Sequence, residues 1–416
     1  MNFVDFVFYF YTFVGLYMIS LMVLVYLRNR KKMFSYPEGK PEPVSVIIPC
    51  FNDEKSIGNT IDSVLNLDYP KDMIEIIVVD DCSQDGSAKV VEKYEKKYSN
   101  VKLIKLDKNS GGAAKPTNVG IRAAKYDYVL VTDSDSSPTR DSLKKMIGQL
   151  QHDKKVGGVT CSVLVKDPKN FSQKIQYIEY IVIAFARKLL DFVDAVYVTP
   201  GPFALYRKDV LFEIGLFDEK NLTQDIEIVW RMMSYGYKAR MILPAKVYVD
   251  SPDKFKGWWK QRVRWNIGGT QTLWKYKKWA LKENMLGMFV IPFFSVSMFL
   301  GVFGLGLLLY LMSRRFLVAT LSTSYSLASN AAILSANDLT LNISVLNFFG
   351  FVLFFVGLIY NLFGIWTMKE VALKKLNFFN FIFFLTIYLM IYPAVMIAAI
   401  WRMARGNYSW GRQING

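Results

Sequence analysis

Histidine is almost missing from this chain: His152 is the only one in 416 residues, and it stands in the polar stretch QLQHDKK. That leaves almost no room for an imidazole base or a multi-histidine metal site, and His152 itself reads as a surface residue. Cysteine is scarce too. Cys50, Cys82 and Cys161 stand singly in or beside apolar stretches with no CxxC pairing, so they read as buried, reduced packing residues. A glycine loop built to cradle phosphate is also lacking. No GxxxxGK[ST] occurs, and NSGGAAKPTNVG lacks GxGxxG spacing, so ATP hydrolysis and dinucleotide redox chemistry lose support. Acidic residues are outnumbered, 35 against 51 lysines and arginines, for a net charge of +16. The cations cluster beside apolar runs, where anionic lipid headgroups attract them; membrane lipids and anionic substrates suffice as partners, and nucleic acid is not expected.

What is abundant is apolar: 52% of residues are hydrophobic and 15% aromatic, which implies two solvent regimes. The first 27 residues carry a single charge, are long enough to cross a hydrocarbon core, and are followed at once by RNRKK. A retained signal anchor over residues 1–29 is expected, with the N-terminus outside and the following chain in the cytoplasm. Residues 30–252 then form a cytoplasmic domain, 253–284 a basic and aromatic interface region, and 285–416 a C-terminal membrane region. Apolar runs at 285–312, 344–366 and 376–401 are each long enough to span. The Ser- and Thr-rich 316–337 reads as an external or re-entrant loop, with a fourth C-terminal span as the alternative. The positive-inside rule is only half obeyed, because Arg314, Arg315, Arg402 and Arg405 fall outside whereas KEVALKK falls inside. A multi-pass protein of the plasma membrane is expected.

Between 44 and 250, β-branched runs alternate with amphipathic stretches, the pattern of an α/β sheet with crossover helices. Strands are expected at 44–49, 74–81, 101–106 and 128–135, with further candidates at 157–165 and 195–207, and a long apolar helix at 172–193. In a doubly wound sheet, ligands collect beyond the carboxyl ends of the strands. Acidic residues recur there: Asp53 and Glu54 in PCFNDE, Asp80 and Asp81 in VVDDCSQDGS, Asp133 and Asp135 in VTDSDSSP. Each alone reads equally as a loop or helix cap. Two carboxylates spaced D-x-D can also offer oxygens to one hard cation that bridges nucleotide phosphates.

The ordered set IIPCFNDE, VVDDCSQDGS, GGAAKPTNVG, TDSDS, TPGPFALYR, TQD at 223–225 and QRVRW resembles the membrane-embedded family 2 glycosyltransferases. These include the synthases of poly-N-acetylglucosamine, hyaluronan, chitin and cellulose. The resemblance covers about residues 44–270 and implies a GT-A type nucleotide-sugar-binding domain, a Rossmann-like mixed sheet, fused to transmembrane and amphipathic interface helices. It implies that Pro49, Phe51, Asp53 and Asp81 hold the nucleoside of a UDP-sugar. Asp133 and Asp135 would carry Mg²⁺ or Mn²⁺ on its diphosphate, and Asp225 would serve as the base. Gly201 would lie at the acceptor sugar, where a missing Cβ permits close approach; its other reading is a plain turn glycine. Two departures stand out. Gln224 replaces the acid that usually precedes the base, and Lys115 lies two positions later than the lysine of many synthases, leaving it as a phosphate ligand or a solvated helix-start residue.

GWWKQRVRWN (257–266) joins both themes. Trp258, Trp259 and Lys260 suit an amphipathic helix at the headgroup level. Gln261, Arg264 and Trp265 match the family's Q-x-x-R-W, and their i, i+3, i+4 spacing puts them on one helix face. Facing the pocket, Gln261 and Arg264 would bind the nucleotide and Trp265 would stack under the acceptor. The expected activity is an inverting, processive polymerisation of a UDP-hexose or UDP-N-acetylhexosamine into a polysaccharide that crosses the membrane. Transfer of one sugar to a polyprenyl phosphate or membrane lipid is the alternative, and a non-catalytic nucleotide-binding membrane protein is weakened by retention of Asp81, Asp133, Asp135 and Asp225. Accessory subunits are left open.

Overall fold

The computed structural model describes residues 3–329, 345–368 and 378–406. Its centre is an eight-stranded mixed sheet in the order β3-β2-β1-β4-β7-β6-β8-β5. Strands β1 (Val44–Cys50), β2 (Ile74–Asp80), β3 (Val101–Lys105) and β4 (Tyr128–Val131) pair in parallel. β1 is buried along its whole length and β2 nearly so, as near-continuous Val/Ile runs require when helices cover both faces of a sheet. Helices α1 (Phe3–Asn29), α2 (Ile57–Leu65), α3 (Ser87–Lys97) and α4 (Ala114–Ala123) precede or connect these strands. The chain runs outward from β1 to β3, then returns through α4 to place β4 on the other side of β1. The switch point therefore lies between the carboxyl ends of β1 and β4, where an α/β sheet opens a crevice.

Beyond β4 come β5 (Ser137–Pro138), α5 (Ser142–His152), β6 (Val156–Val165), α6 (Phe171–Asp191), β7 (Ala204–Arg207), α7 (Lys208–Glu213), α8 (Gln224–Ser234) and β8 (Lys238–Val249). β7 runs antiparallel to both β4 and β6, while β8 is parallel to β6. Two expectations change here, and one strand is new. The strand expected at 128–135 ends at Val131: Asp133 and Ser136 close a turn (Ser136 N to Asp133 O, 3.2 Å), which lifts both aspartates out of the sheet. Only 204–207 of the candidate at 195–207 is a strand, because Pro200 and Pro202 lack the N–H a ladder needs and Phe203 adopts φ +59°. β8 escapes the sequence pattern because Pro244 interrupts it. The structure accommodates that proline in a bulge, where the register jumps from Cys161/Ile242 to Ser162/Lys246.

Next are α9 (Phe255–Tyr276), α10 (Ile291–Ala328), α11 (Val345–Thr367), α12 (Phe378–Phe383) and α13 (Leu389–Ala404). Among the described residues two helical stretches, 5–32 and 286–328, are long and apolar enough to cross a membrane, and a third arises if the pair 378–388 and 390–404, bent by 43°, counts as one span. The loop expected at 316–337 is corrected over its first part, since α10 continues to Ala328. No glycine or proline interrupts 307–328, and hydroxyls such as Thr320 Oγ1 bond back to the helix itself (Phe316 O, 2.9 Å), so polarity alone does not end it. Residues 330–337 and KEVALKK (369–375) lie outside the described residues.

Candidate active site

A cavity of about 490 Å³ opens at the switch point, a size typical of small-molecule sites. Pro49, Phe51, Asp53, Asp81, Asp133, Asp135, Gly201, Asp225, Gln261, Arg264 and Trp265 all line it. Lys115 does not: it is exposed at the start of α4, near enough to Asp81 to favour that carboxylate's charge.

Each wall has a local cause. After β1, Asn52 takes φ +54° and its amide donates to Ser83 Oγ (2.9 Å), while Ser134 Oγ donates to the Asp53 carboxylate. After β2, Asp81 accepts the backbone N–H of Ser110 at 2.9 and 3.1 Å and its hydroxyl at 2.8 Å. The turn KNSGG therefore forms part of the wall through Asn109, Gly111 and Gly112. Burial raises the Asp81 pKa, opposed by the Ser110 bonds and Lys115.

The D-x-D pair is half-buried in the cavity wall. Burial, with repulsion from Asp135, Asp225 and Asp53, pushes Asp133 up to about 8 against the opposing Arg264. Burial, with Asp53 and Asp250 nearby, pushes Asp135 up to about 6. Acids held this far from their ordinary range are not fully neutralised by Arg264, and their oxygens suit a hard divalent cation. Among the described residues no set of three acidic, histidine or cysteine ligands converges, so a cation on this pair would complete its shell with water and the phosphates of a ligand. Gly201 packs against Asp133: a Cβ there would come within 2.8 Å of Asp133 Oδ1. Its missing side chain makes room for a carboxylate of the protein itself.

Asp225 sits in the first turn of α8, its Oδ1 accepting the N–H of Ile226 at 3.1 Å. Burial raises its pKa, and the guanidinium groups of Arg264 and Arg187 oppose that shift. The approach to α8 is stitched to α9: Asn221 Nδ2 donates to Thr272 Oγ1 (2.9 Å) and Leu222 N to Gln271 Oε1 (3.1 Å). Glu227, two residues after Asp225, takes bonds from Arg231, Lys275 (2.7 Å) and Tyr276 (2.8 Å). Gly268 makes this approach sterically feasible, since a Cβ there would lie 2.2 Å from Thr223 Oγ1 and 2.6 Å from its backbone nitrogen.

On α9 the expected face of Gln261, Arg264 and Trp265 does meet the cavity. Arg264 Nη1 donates to Leu222 O at 3.3 Å. The headgroup placement of Trp258 is corrected: it is buried, and its indole N–H donates to Tyr388 Oη at 2.6 Å, because α13 covers this side of α9. Exposed aromatic and basic residues gather later, where Lys277 lies 3.4 Å above the Trp274 ring. Tyr180, Ile183 and Arg187 of α6 also line the cavity. Sequence reasoning missed them, because they are spread along a helix whose signal is dominated by apolar residues.

Residues 45–215 match the model of glycosyl transferase family 2. The chain carries a family 2 glycosyltransferase domain. It is 28% identical over 375 residues to the poly-β-1,6-N-acetyl-D-glucosamine synthase of Staphylococcus epidermidis, covering 89% of this chain and 86% of that one. The synthase of the same name from Staphylococcus aureus strain COL is 29% identical over 309 residues, 73% of this chain and 74% of that one. Among solved structures, a mannosyltransferase of Pyrobaculum calidifontis in complex with GDP-mannose and Mn²⁺ aligns with TM-score 0.58 at 19% identity, covering 95% of this chain and 99% of that one. That likeness speaks for the fold alone. The transferase domain is GT-A type, an α/β sheet joined to helical segments.

Proposed function

We propose that this chain is an inverting, processive polysaccharide synthase that transfers N-acetylglucosamine from its UDP donor to a growing chain and passes the product across the membrane. The observation that carries the reading is one cavity in which Asp225 shares the floor with the D-x-D pair and the Q-x-x-R-W face forms a wall. The similarity to the two staphylococcal synthases, extending over 89% of this chain in one case, supports the sugar and the polymer.

In this reading Phe51, 40% exposed at the cavity mouth, stacks on the uracil beside Pro49, and Asp53 and Asp81 hold the ribose and base. Asp133 and Asp135 would hold Mg²⁺ or Mn²⁺, which when bound neutralises charge on the departing diphosphate. Arg264 binds the same diphosphate with Gln261 nearby, and Lys115 adds positive charge at the rim. Trp265 offers its face to the acceptor sugar, whose path passes Gly201. The acceptor hydroxyl oxygen attacks the anomeric carbon, the bond from that carbon to UDP breaks, and the hydroxyl proton passes to Asp225. A raised pKa suits that task, because a carboxylate that holds a proton more firmly is the stronger base. RNRKK at the end of α1 supports a cytoplasmic catalytic domain in a multi-pass protein of the plasma membrane.

The test is turnover. The full chain in lipid nanodiscs with Mn²⁺ is expected to release UDP from UDP-N-acetylglucosamine, and Asp225→Asn to abolish release with donor binding retained. Undiminished turnover in that variant would remove Asp225 from the role of base.

A further inference from the structure

Arg262 stands inside the Q-x-x-R-W segment, yet it does not line the cavity and is fully buried. It grips Glu179 of α6 with two prongs, Nε to Oε1 at 3.2 Å and Nη2 to Oε2. The same carboxylate accepts Tyr388 Oη at 2.6 Å and the hydroxyl of Tyr392. Arg262 Nε also donates to Tyr392 Oη at 3.1 Å, and Trp258 Nε1 to Tyr388 Oη at 2.6 Å. Both tyrosines belong to the bent apolar helix pair at 378–404. On its other side, the Arg262 guanidinium lies 4.0 Å from the centroid of the Trp265 ring, and its Nη1 donates to Gln261 Oε1 at 2.6 Å. Trp265 and Gln261 are cavity residues.

Two ion partners and two hydroxyls bonded together fix one geometry, because any member that turned away would leave another unsatisfied. A planar guanidinium held by a bidentate carboxylate can place the indole stacked on it more closely than packing alone. We propose that Glu179, clamped by Tyr388 and Tyr392, is a positioning residue: it sets Arg262, which sets the Trp265 ring and the Gln261 amide. The bent helix pair and the transfer site are then one mechanical unit. This deepens the reading of the cavity given above and rests on it for the kinetic arm of the test.

Tyr392→Phe is the probe, since it removes one hydroxyl and keeps the ring. In the full chain, labelled with 5-fluorotryptophan and held in nanodiscs, the ¹⁹F resonance lost in Trp265→Phe identifies Trp265. That resonance is expected to shift or broaden in Tyr392→Phe and in Glu179→Gln, because the described contacts link Trp265 to Tyr392 through Arg262. Kinetically, Tyr392→Phe is expected to lower kcat about tenfold with the donor KM held within about twofold, the pattern of a misplaced reacting geometry. In a Trp265→Phe background the same substitution should cost less than about twofold, since residues acting through one another are not additive. An unmoved Trp265 resonance, or losses that multiply independently, overturns the proposal. If the parent chain transfers no sugar at all, the functional reading fails, and the ¹⁹F arm still decides the coupling.

Discussion

At the scale of single residues, the cavity is defined by charges that do not cancel. Asp133, pushed up to about 8, and Asp135, pushed up to about 6, both exceed the roughly 4 of an aspartate in an unfolded chain. A carboxyl whose folded pKa is raised binds its proton more firmly in the native state than in the unfolded one. Its contribution to stability is therefore fully present below about pH 4 and is lost as pH rises through 6 and 8. The metal-free protein is expected to melt at lower temperature at about pH 8 than at about pH 5, with Mn²⁺ restoring more of the loss at the higher pH. A melting temperature flat across that range, or a metal effect equal at both ends, would show that these acids do not hold their protons as firmly as described. Gly201 belongs to the same argument. In the sequence it reads as a turn or as room for a sugar, and the residue it makes room for is Asp133.

At the scale of elements, what was legible in the sequence followed from periodicity and what was not followed from tertiary contact. Strands β1 to β3 are rich in Val and Ile and end within a residue of the stretches expected for them. β8 was hidden by Pro244, which is harmless only because a bulge receives it. Trp258 reads as interfacial by composition, and only the fold shows that Tyr388 and Tyr392 cover it. Spacing did put Gln261, Arg264 and Trp265 on one face, whereas Arg187 and Tyr180 on α6 carry no motif that would distinguish them from packing residues. The contact of α9 with the start of α8 is equally invisible in the sequence. Gly268→Ala should favour the helix itself by roughly 1 kcal/mol. Its Cβ nevertheless collides with Thr223, two residues before Asp225. Circular dichroism is expected to show unchanged helicity while UDP release falls on the order of tenfold to a hundredfold, as a small misplacement of a reacting group does. Full activity in Gly268→Ala would mean that this contact does not position Asp225.

At the scale of the whole molecule, a GT-A domain is joined to apolar helices through α9, whose residues line the cavity and whose Trp258 and Arg262 bond to the helix pair at 378–404. The helical stretch 286–328 has 43 residues. At about 1.5 Å per residue it is roughly 65 Å long, about twice a hydrocarbon core of ~30 Å, so part of it must extend beyond the apolar layer. A polymerase and an enzyme that adds one sugar to a lipid would share the cavity and differ in what leaves it. The deciding measurement is therefore the length of the product made by the full chain in nanodiscs from radiolabelled UDP-N-acetylglucosamine and Mn²⁺, sized by gel filtration after lipid extraction. Long chains of N-acetylglucosamine are expected early in the reaction while unused acceptor remains; a product confined to lipid carrying a single sugar would contradict processive synthesis.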